Sequence, residues 1–276
     1  MNDLLSALLS EAYLFLEESL KTCSSNQWEK ANITEDEIRI LHRLNGYCAM
    51  LSQTVLQMIG NDIVWECEII MRTISEGTIK LVYMCCEAES IKAKIQQYSE
   101  ELSDYAFNKD SRRASEYVDK VSGIDDVHRH TYLALNKLKV KTEKQRKEQK
   151  QSEQAWSFLE MLRQIEKASL PFSDQITAMA YGYGLSSHFV HADSEAIGLI
   201  WDRAHREQDE QVAVTMANKG RFVSDLTAMT LLRTWTLVQA GDGDVKRIER
   251  LIDLCNNLNE KACVLERVDA ILAHRR

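Results

Sequence analysis

Only one proline, Pro171, stands in a chain of 276 residues. Proline deletes a backbone donor and breaks helix interiors, and glycine, the next strongest breaker, occurs 10 times. Long helices are therefore permitted almost everywhere. The β-branched residues are scattered and do not cluster in the alternating runs that mark strands. With 45% hydrophobic residues the chain is able to bury a sizeable core. The expected fold is all-α, an irregular multi-helix bundle built on long antiparallel helix hairpins, as one helical domain over residues 1–276.

The first segment, MNDLLSALLSEAYLFLEESLK, is apolar on one face and carries Glu11, Glu17 and Glu18. It reads as a first helix, since it lacks the basic start of a signal peptide and the length of a membrane span. Thr34 and Glu37 have capping-box spacing, which predicts a second helix there. Its apolar positions Ile38, Leu41, Leu44, Cys48, Leu51, Val55 and Met58 recur at helical steps up to Gly60. Asn61-Asp62 is expected to cap a third helix with Ile63, Cys67, Ile70, Ile74, Leu81 and Met84 inward, running to about Glu87 and completing a hairpin with the second. Residues 90–122 are more polar and suggest shorter helices, and Asp125-Asp126 is placed to open another. The run KTEKQRKEQKQSEQ, 141–154, has no apolar side chain and mixes both charge signs, so it is a solvated helix or a hinge. A helix over 154–167 is expected to present Trp156, Leu159, Leu162 and Ile165, with Ser173 or Asp174 capping the next beyond Pro171. Further helices are expected through Trp201, from about Lys219 to Gln239, and from Asp244 to the end. The last carries an apolar stripe from Ile248 to Leu272 for burial within the chain or against a second copy.

Two constellations carry candidate chemistry. In AYGYGLSSHFVHADSEA, residues 180–196, Ser187 and His191 share a helix face, as do His188 and His191, and Gly182 and Gly184 permit a helix start whose free amides hold an anion. In MRTISEGTIKLVY, Arg72 and Glu76 lie one turn apart in an otherwise apolar hairpin. The functional reading has Arg72 binding an anion, Glu76 orienting His191, and Tyr183 and His188 contacting the ligand. The bland reading makes Arg72 and Glu76 a partly buried ion pair that fixes packing, and the glycines a simple helix break. One shared site is the expectation, with the Arg72/Glu76 turn facing the Ser187/His191 turn across the core.

The R-T-x-x-E of Arg72 to Glu76, continuing into K-L-V-Y, together with the Y-x-x-x-S-x-x-x-H of Tyr183, Ser187 and His191, resembles a prokaryotic family of helical proteins classed as a domain of unknown function. The resemblance spans about 35–200. It implies a bacterial stress or phage-defence setting and lends weight to Arg72, Glu76, Ser187 and His191 without assigning a reaction; these four are the candidate catalytic residues. The expected function is an intracellular effector of that kind, acting as a metal-independent ribonuclease with His191 as general acid or base and Arg72 stabilising the developing phosphorane charge. The alternative is a non-catalytic protein-interaction module whose polar motifs are structural. Small helical ribonucleases that place an arginine four to six residues before a histidine are not matched, because Arg39-x2-His42 is too short.

No cofactor and no metal are expected. The spacing His188-x2-His191-x-Asp193 could supply ligands but lacks H-E-x-x-H, and Asp125-x2-His128 and Asp202-x2-His205 only echo the Glu-x2-His pairs of di-iron bundles. Seven cysteines, none in C-x2-C spacing, point to free thiols in a reducing cytoplasm. The net charge of −8 argues against duplex DNA held through the global field. An RNA or protein partner and a homodimer are the associations to be expected, with no membrane.

Overall fold

The computed structural model of the chain describes residues 2–28, 32–104, 143–168, 170–241 and 244–273, with isolated helical positions at 106, 109, 113, 116 and 120. Among these residues are ten α-helices and no strand: α1 (Asn2–Ser24), α2 (Glu35–Gly60), α3 (Cys67–Cys85), α4 (Ile91–Gln96), α5 (Glu143–Ala155), α6 (Phe158–Lys167), α7 (Ser173–His191), α8 (Ser194–Ala204), α9 (Gln208–Ala240) and α10 (Glu249–Ala273). The all-α expectation is met. The helix start expected at Asp125-Asp126 lies outside the described residues. No helix among the described residues is long and apolar enough to cross a membrane.

Local chemistry explains some helix starts and distant groups others. Thr34 caps α2 reciprocally: its hydroxyl accepts from the Glu37 amide at 3.3 Å, and its own amide donates to the Glu37 carboxylate at 2.6 Å. Asn61-Asp62 does not cap α3, which starts at Cys67. Asp62 turns left-handed at φ 61, and the Ile63 amide donates back to the Met58 carbonyl at 2.9 Å. The buried Lys219 of α9 reaches the Asp62 carboxylate and holds this turn, leaving Ile63 exposed and Val64 buried. Around 157 the expected helix is also broken, because Ser157 is extended and caps α6 through the Glu160 amide. The inward face is consequently Phe158, Met161, Leu162 and Ile165, with Leu159 in solvent. Neither Ser173 nor Asp174 caps α7; Phe172 occupies the N-cap without a side-chain bond. The charged run forms α5, most of whose described side chains are exposed.

Helix α9 is the structural axis. Its 33 residues span about 50 Å at the helical rise, and it packs on α1, α2, α3 and α10. Its approach to α10 is close enough that a Cβ at Gly220 would lie 2.7 Å from the Ala262 carbonyl oxygen. The α2–α3 hairpin closes in the same way, with Gly77 against the sulfur of Cys48. The apolar stripe of α10 is buried within the chain as far as its side chains are described: Leu251, Cys255, Leu258, Ala262 and Leu265 join Leu8, Phe15, Val55, Ile59, Ile74 and Phe222 in one core cluster. A second cluster gathers Leu41, Cys48, Ile79, Met84, Met161, Ile165 and Leu237. Helices α2, α3 and α9 run through both.

Between those clusters lies Arg233, 0% exposed. Its guanidinium donates to Asn45 Oδ1 at 3.2 Å, Thr78 Oγ1 at 2.8 Å and Thr230 Oγ1 at 3.0 Å, all neutral oxygens. Burial pulls its pKa below the usual guanidinium range. Three hydrogen bonds from α2, α3 and α9 thus stand in for a counter-ion. Replacing Thr78 with valine keeps the shape and removes one acceptor, so Thr78→Val is expected to lower the urea unfolding free energy by about 1.5–3 kcal/mol.

Candidate functional site

Helix α7 does not start at the tyrosine-glycine stretch. Gly182 and Gly184 lie in its interior and its first turn is at Ser173, so no free amides point from the glycines. The helix ends at Ala192, left-handed at φ 48, after which Asp193 caps α8 by accepting from the amides of Glu195 at 3.0 Å and Ala196 at 3.2 Å. His188 Nδ1 lies 2.6 Å from Asp193 Oδ2, and its Nε2 lies 3.4 Å from Glu195. The hydrogen bond to Asp193 raises the His188 pKa above its usual value, and the same contact lowers that of Asp193. His188 therefore fastens the α7–α8 corner. His205 likewise sits against Trp201, and Asp202 pairs with Arg206, so this spacing serves local packing.

Helices α3 and α7 do face each other, as expected, but in a register that separates the four proposed catalytic residues. Arg72 Nη2 donates to the Tyr183 hydroxyl at 3.1 Å, with the guanidinium 5.0 Å from the ring centre. Tyr183 is stacked on Phe158, their centroids 3.6 Å apart. One turn earlier on α3, Glu68 accepts from Ser186 Oγ at 2.9 Å. This antiparallel run brings Glu76 level with the region of Met179, about 18 Å along α7 from His191 at 1.5 Å per residue. Glu76 instead pairs with Lys80 at 2.6 Å. His191 is exposed and Ser187 is half-buried. Arg72 and Tyr183 meet; Glu76, Ser187 and His191 do not join them in one site.

The polar centre lies one turn away, around Glu68. This carboxylate is 1% exposed, and besides Ser186 it accepts from Arg221 Nη2 of α9. Arg203 of α8, stacked 3.8 Å over the Trp65 ring, adds a second positive field at Glu68. Arg221 Nη1 reaches only to 3.5 Å from Asp225, one helical turn further on. Asp225 stands beside a cavity of about 230 Å³ walled by Met71, Met179, Met229, Ala178 and Ala228, with Gln175, Ser224 and Asn259 as further polar lining. Ser224 donates to Asn259 Oδ1 at 3.0 Å, which ties α10 to the rim.

Asp225 remains within reach of small molecules, its side chain 44% exposed. Yet protein crowds it on most sides, and this desolvation, reinforced by Glu68 and Glu266 and opposed by Arg221, pushes its pKa up to about 6. A carboxyl titrating there exchanges protons readily near neutrality. Gly182 also lines the cavity, and a Cβ built on it would meet nothing within 4 Å. Helix interiors disfavour glycine by about 1 kcal/mol relative to alanine, and close packing does not require it here.

Sequence reasoning selected Ser187 where Ser186 is the buried hydroxyl, and passed over Glu68, Arg221 and Asp225. A signal existed for Glu68: it lies three residues before Met71 and seven before Ser75, on an inward stripe of α3. Arg221 and Asp225 share a helical face with Gly220 and Val223 nearby, but nothing in their spacing indicates that α3 passes opposite.

A family model described as a family of unknown function, DUF5677, matches residues 38–211. Glu68, Arg72, Tyr183 and Ser186 fall inside the match; Arg221, Asp225 and Asn259 lie beyond its end. No curated protein and no solved structure matches the chain.

The raised pKa of Asp225 sets a sign for stability against pH. A carboxyl that holds its proton more tightly when folded favours the folded state at acid pH, and this advantage is lost as pH rises from the unfolded value near 4 through about 6. Asp225→Asn is therefore expected to raise the melting temperature at pH 8 and to change it little at pH 4.5. An equal effect at both values would show that Asp225 is an ordinary surface carboxylate.

Proposed function

Because the chain belongs to the DUF5677 family, whose function is unknown, its role has to come from its own chemistry, and we propose that it is a small-molecule-binding helical protein acting through the α3–α7–α9 cavity. The carrying observation is the combination of unfilled space with the Asp225 carboxyl at its edge, whose nearest partner, Arg221 Nη1, stays at 3.5 Å. Convergent polar groups on an otherwise apolar, partly enclosed wall are the usual make-up of a ligand site. A polar cluster serving packing alone would be expected to close over its own charges. Asp225 would also serve as a general acid or base toward a bound molecule.

A part in bacterial stress or phage defence is proposed on the family resemblance alone. Its ribonuclease form, with His191 and Arg72 acting together, requires α7 to shift along α3 so that these residues meet. RNA cleaved equally by the wild type and His191→Ala would remove it.

A second reading has its own observation. Helix α8 buries Ala196 alone among its residues and exposes Ile197, Ile200 and Trp201, the last at 67%, with Val190 exposed at the end of α7. An apolar face of this kind suits a protein partner or a second copy. If it forms a homodimer, the light-scattering mass falls to the monomer value in Ile197→Ser/Trp201→Ser; a wild-type mass already monomeric at 100 μM removes the homodimer.

For the principal reading, a fragment screen followed by melting temperature and by methionine methyl NMR is the direct test. Binders are expected to perturb Met71, Met179 and Met229 together, and Ala228→Leu, which fills the cavity, is expected to abolish their effect. Binders that ignore Ala228→Leu would place ligand binding elsewhere.

A further inference from the structure

Resting on the ligand-binding reading above, the charge arrangement goes on to indicate which molecules fit. Glu68 is doubly compensated, since it accepts from Arg221 and also lies in the field of Arg203. Asp225 is not. Among the described residues its one neighbouring cation is Arg221, whose Nη1 stays at 3.5 Å while the Nη2 of the same guanidinium is bonded to Glu68. The other charges acting on Asp225 are anionic, Glu68 from α3 and Glu266 from α10. An ionised carboxylate offers about four acceptor positions, and no hydrogen bond to Asp225 is formed among the described residues.

We propose that the cavity takes a compact organic cation, an amine or amidinium whose charged head is received by Asp225 while its apolar body lies against Met71, Met179 and Met229. An anionic ligand would meet Asp225 with Glu68 and Glu266 acting in the same sense, while the guanidinium beside Asp225, Arg221, is already shared with Glu68. A neutral ligand would leave Asp225 under-compensated. The three methionines suit the body, because unbranched thioethers fill irregular gaps and make favourable contacts with aromatic rings. Size limits it as well: about 230 Å³ lies below the roughly 300–1,000 Å³ of drug-sized sites, so a single ring with a short charged arm is appropriate.

A cation beside Asp225 stabilises the ionised carboxylate, so binding at pH 6 releases a proton from it. Glu68, Glu266, Arg221 and Arg203 are the other charged groups around this network. Affinity for a permanently charged amidinium is accordingly expected to weaken as the pH falls from 7 to 5.

Three isosteric probes separate the alternatives: benzamidine, the neutral benzamide and the anionic benzoate, measured by calorimetry at pH 6 in two buffers of different ionisation enthalpy. Benzamidine is expected to bind best, with net proton release and methyl shifts at the three methionines. Asp225→Asn is expected to weaken it about tenfold or more, the scale of losing a charge-assisted hydrogen bond, and to abolish the proton release. Far-UV circular dichroism and the melting curve verify that the near-isosteric variant is folded. Benzamide or benzoate binding in the cavity as tightly as benzamidine would overturn the cation preference while upholding a ligand site. Failure of all three probes, with no fragment sensitive to Ala228→Leu, would overturn both.

Discussion

A carboxylate held at 1% exposure determines how three helices meet. Removing an ionised group from water costs several kcal/mol even after the protein relaxes, and Glu68 recovers that cost only where Ser186 and Arg221 both reach it. Those two partners come from α7 and α9. A slip of either helix by one turn, about 5.4 Å, would leave the carboxylate with a missing partner. The same register lets Arg72 find the Tyr183 hydroxyl and lets Tyr183 stack on Phe158 of α6. The cavity is bounded by this arrangement: α3 and α7 are fixed at Glu68, α9 is fixed by Arg221, and Asp225 follows one turn along at the edge of the space that remains.

Arg233 and Glu68 show two ways of burying charge on neighbouring parts of one scaffold. Arg233 is wholly enclosed and spreads its guanidinium over three neutral oxygens, an arrangement that is static because none of those acceptors titrates near neutrality. Glu68 uses an opposite charge, and that charge is shared onward with Asp225, which does titrate in the physiological range. The first network ties α2, α3 and α9 together within the core. The second lies beside the cavity between α3, α7 and α9, where one guanidinium, that of Arg221, faces both Glu68 and Asp225.

The fold was legible because its evidence is local and repeated. A capping box at Thr34, apolar positions at helical spacing in α2 and α10, and the near absence of proline each specify helix without knowledge of any partner segment. Errors arose where a distant group intervened. Lys219, more than 150 positions from Asp62, holds the turn that delays α3, and the sequence near Asp62 carries no sign of it. The site was only half legible for the same reason. Arg72 and Tyr183 were singled out and do meet, but the choice between Ser186 and Ser187 depends on the rotation of α7 against α3 to within one residue, about 100° of helix. A periodicity with two glycines in it does not fix that angle. Likewise, Arg221 and Asp225 look like an ordinary one-turn ion pair until Glu68 is placed opposite and draws the guanidinium away.

That displacement is the strongest physical argument that the cavity has a use. Evolution toward stability alone has simple remedies here: asparagine at 225 removes a desolvated charge, alanine at 182 favours the helix without a clash, and a larger side chain at 228 fills space. None conflicts with the packing described, since a Cβ at Gly182 meets open volume and Ala228 faces the cavity. Each would diminish either the space or the carboxyl that makes the space chemically distinctive. Three separate departures from the most stable choice converge on one volume, whereas the buried centre around Arg233, only two helical turns from Asp225 along α9, shows that α3 and α9 close tightly where no room is kept.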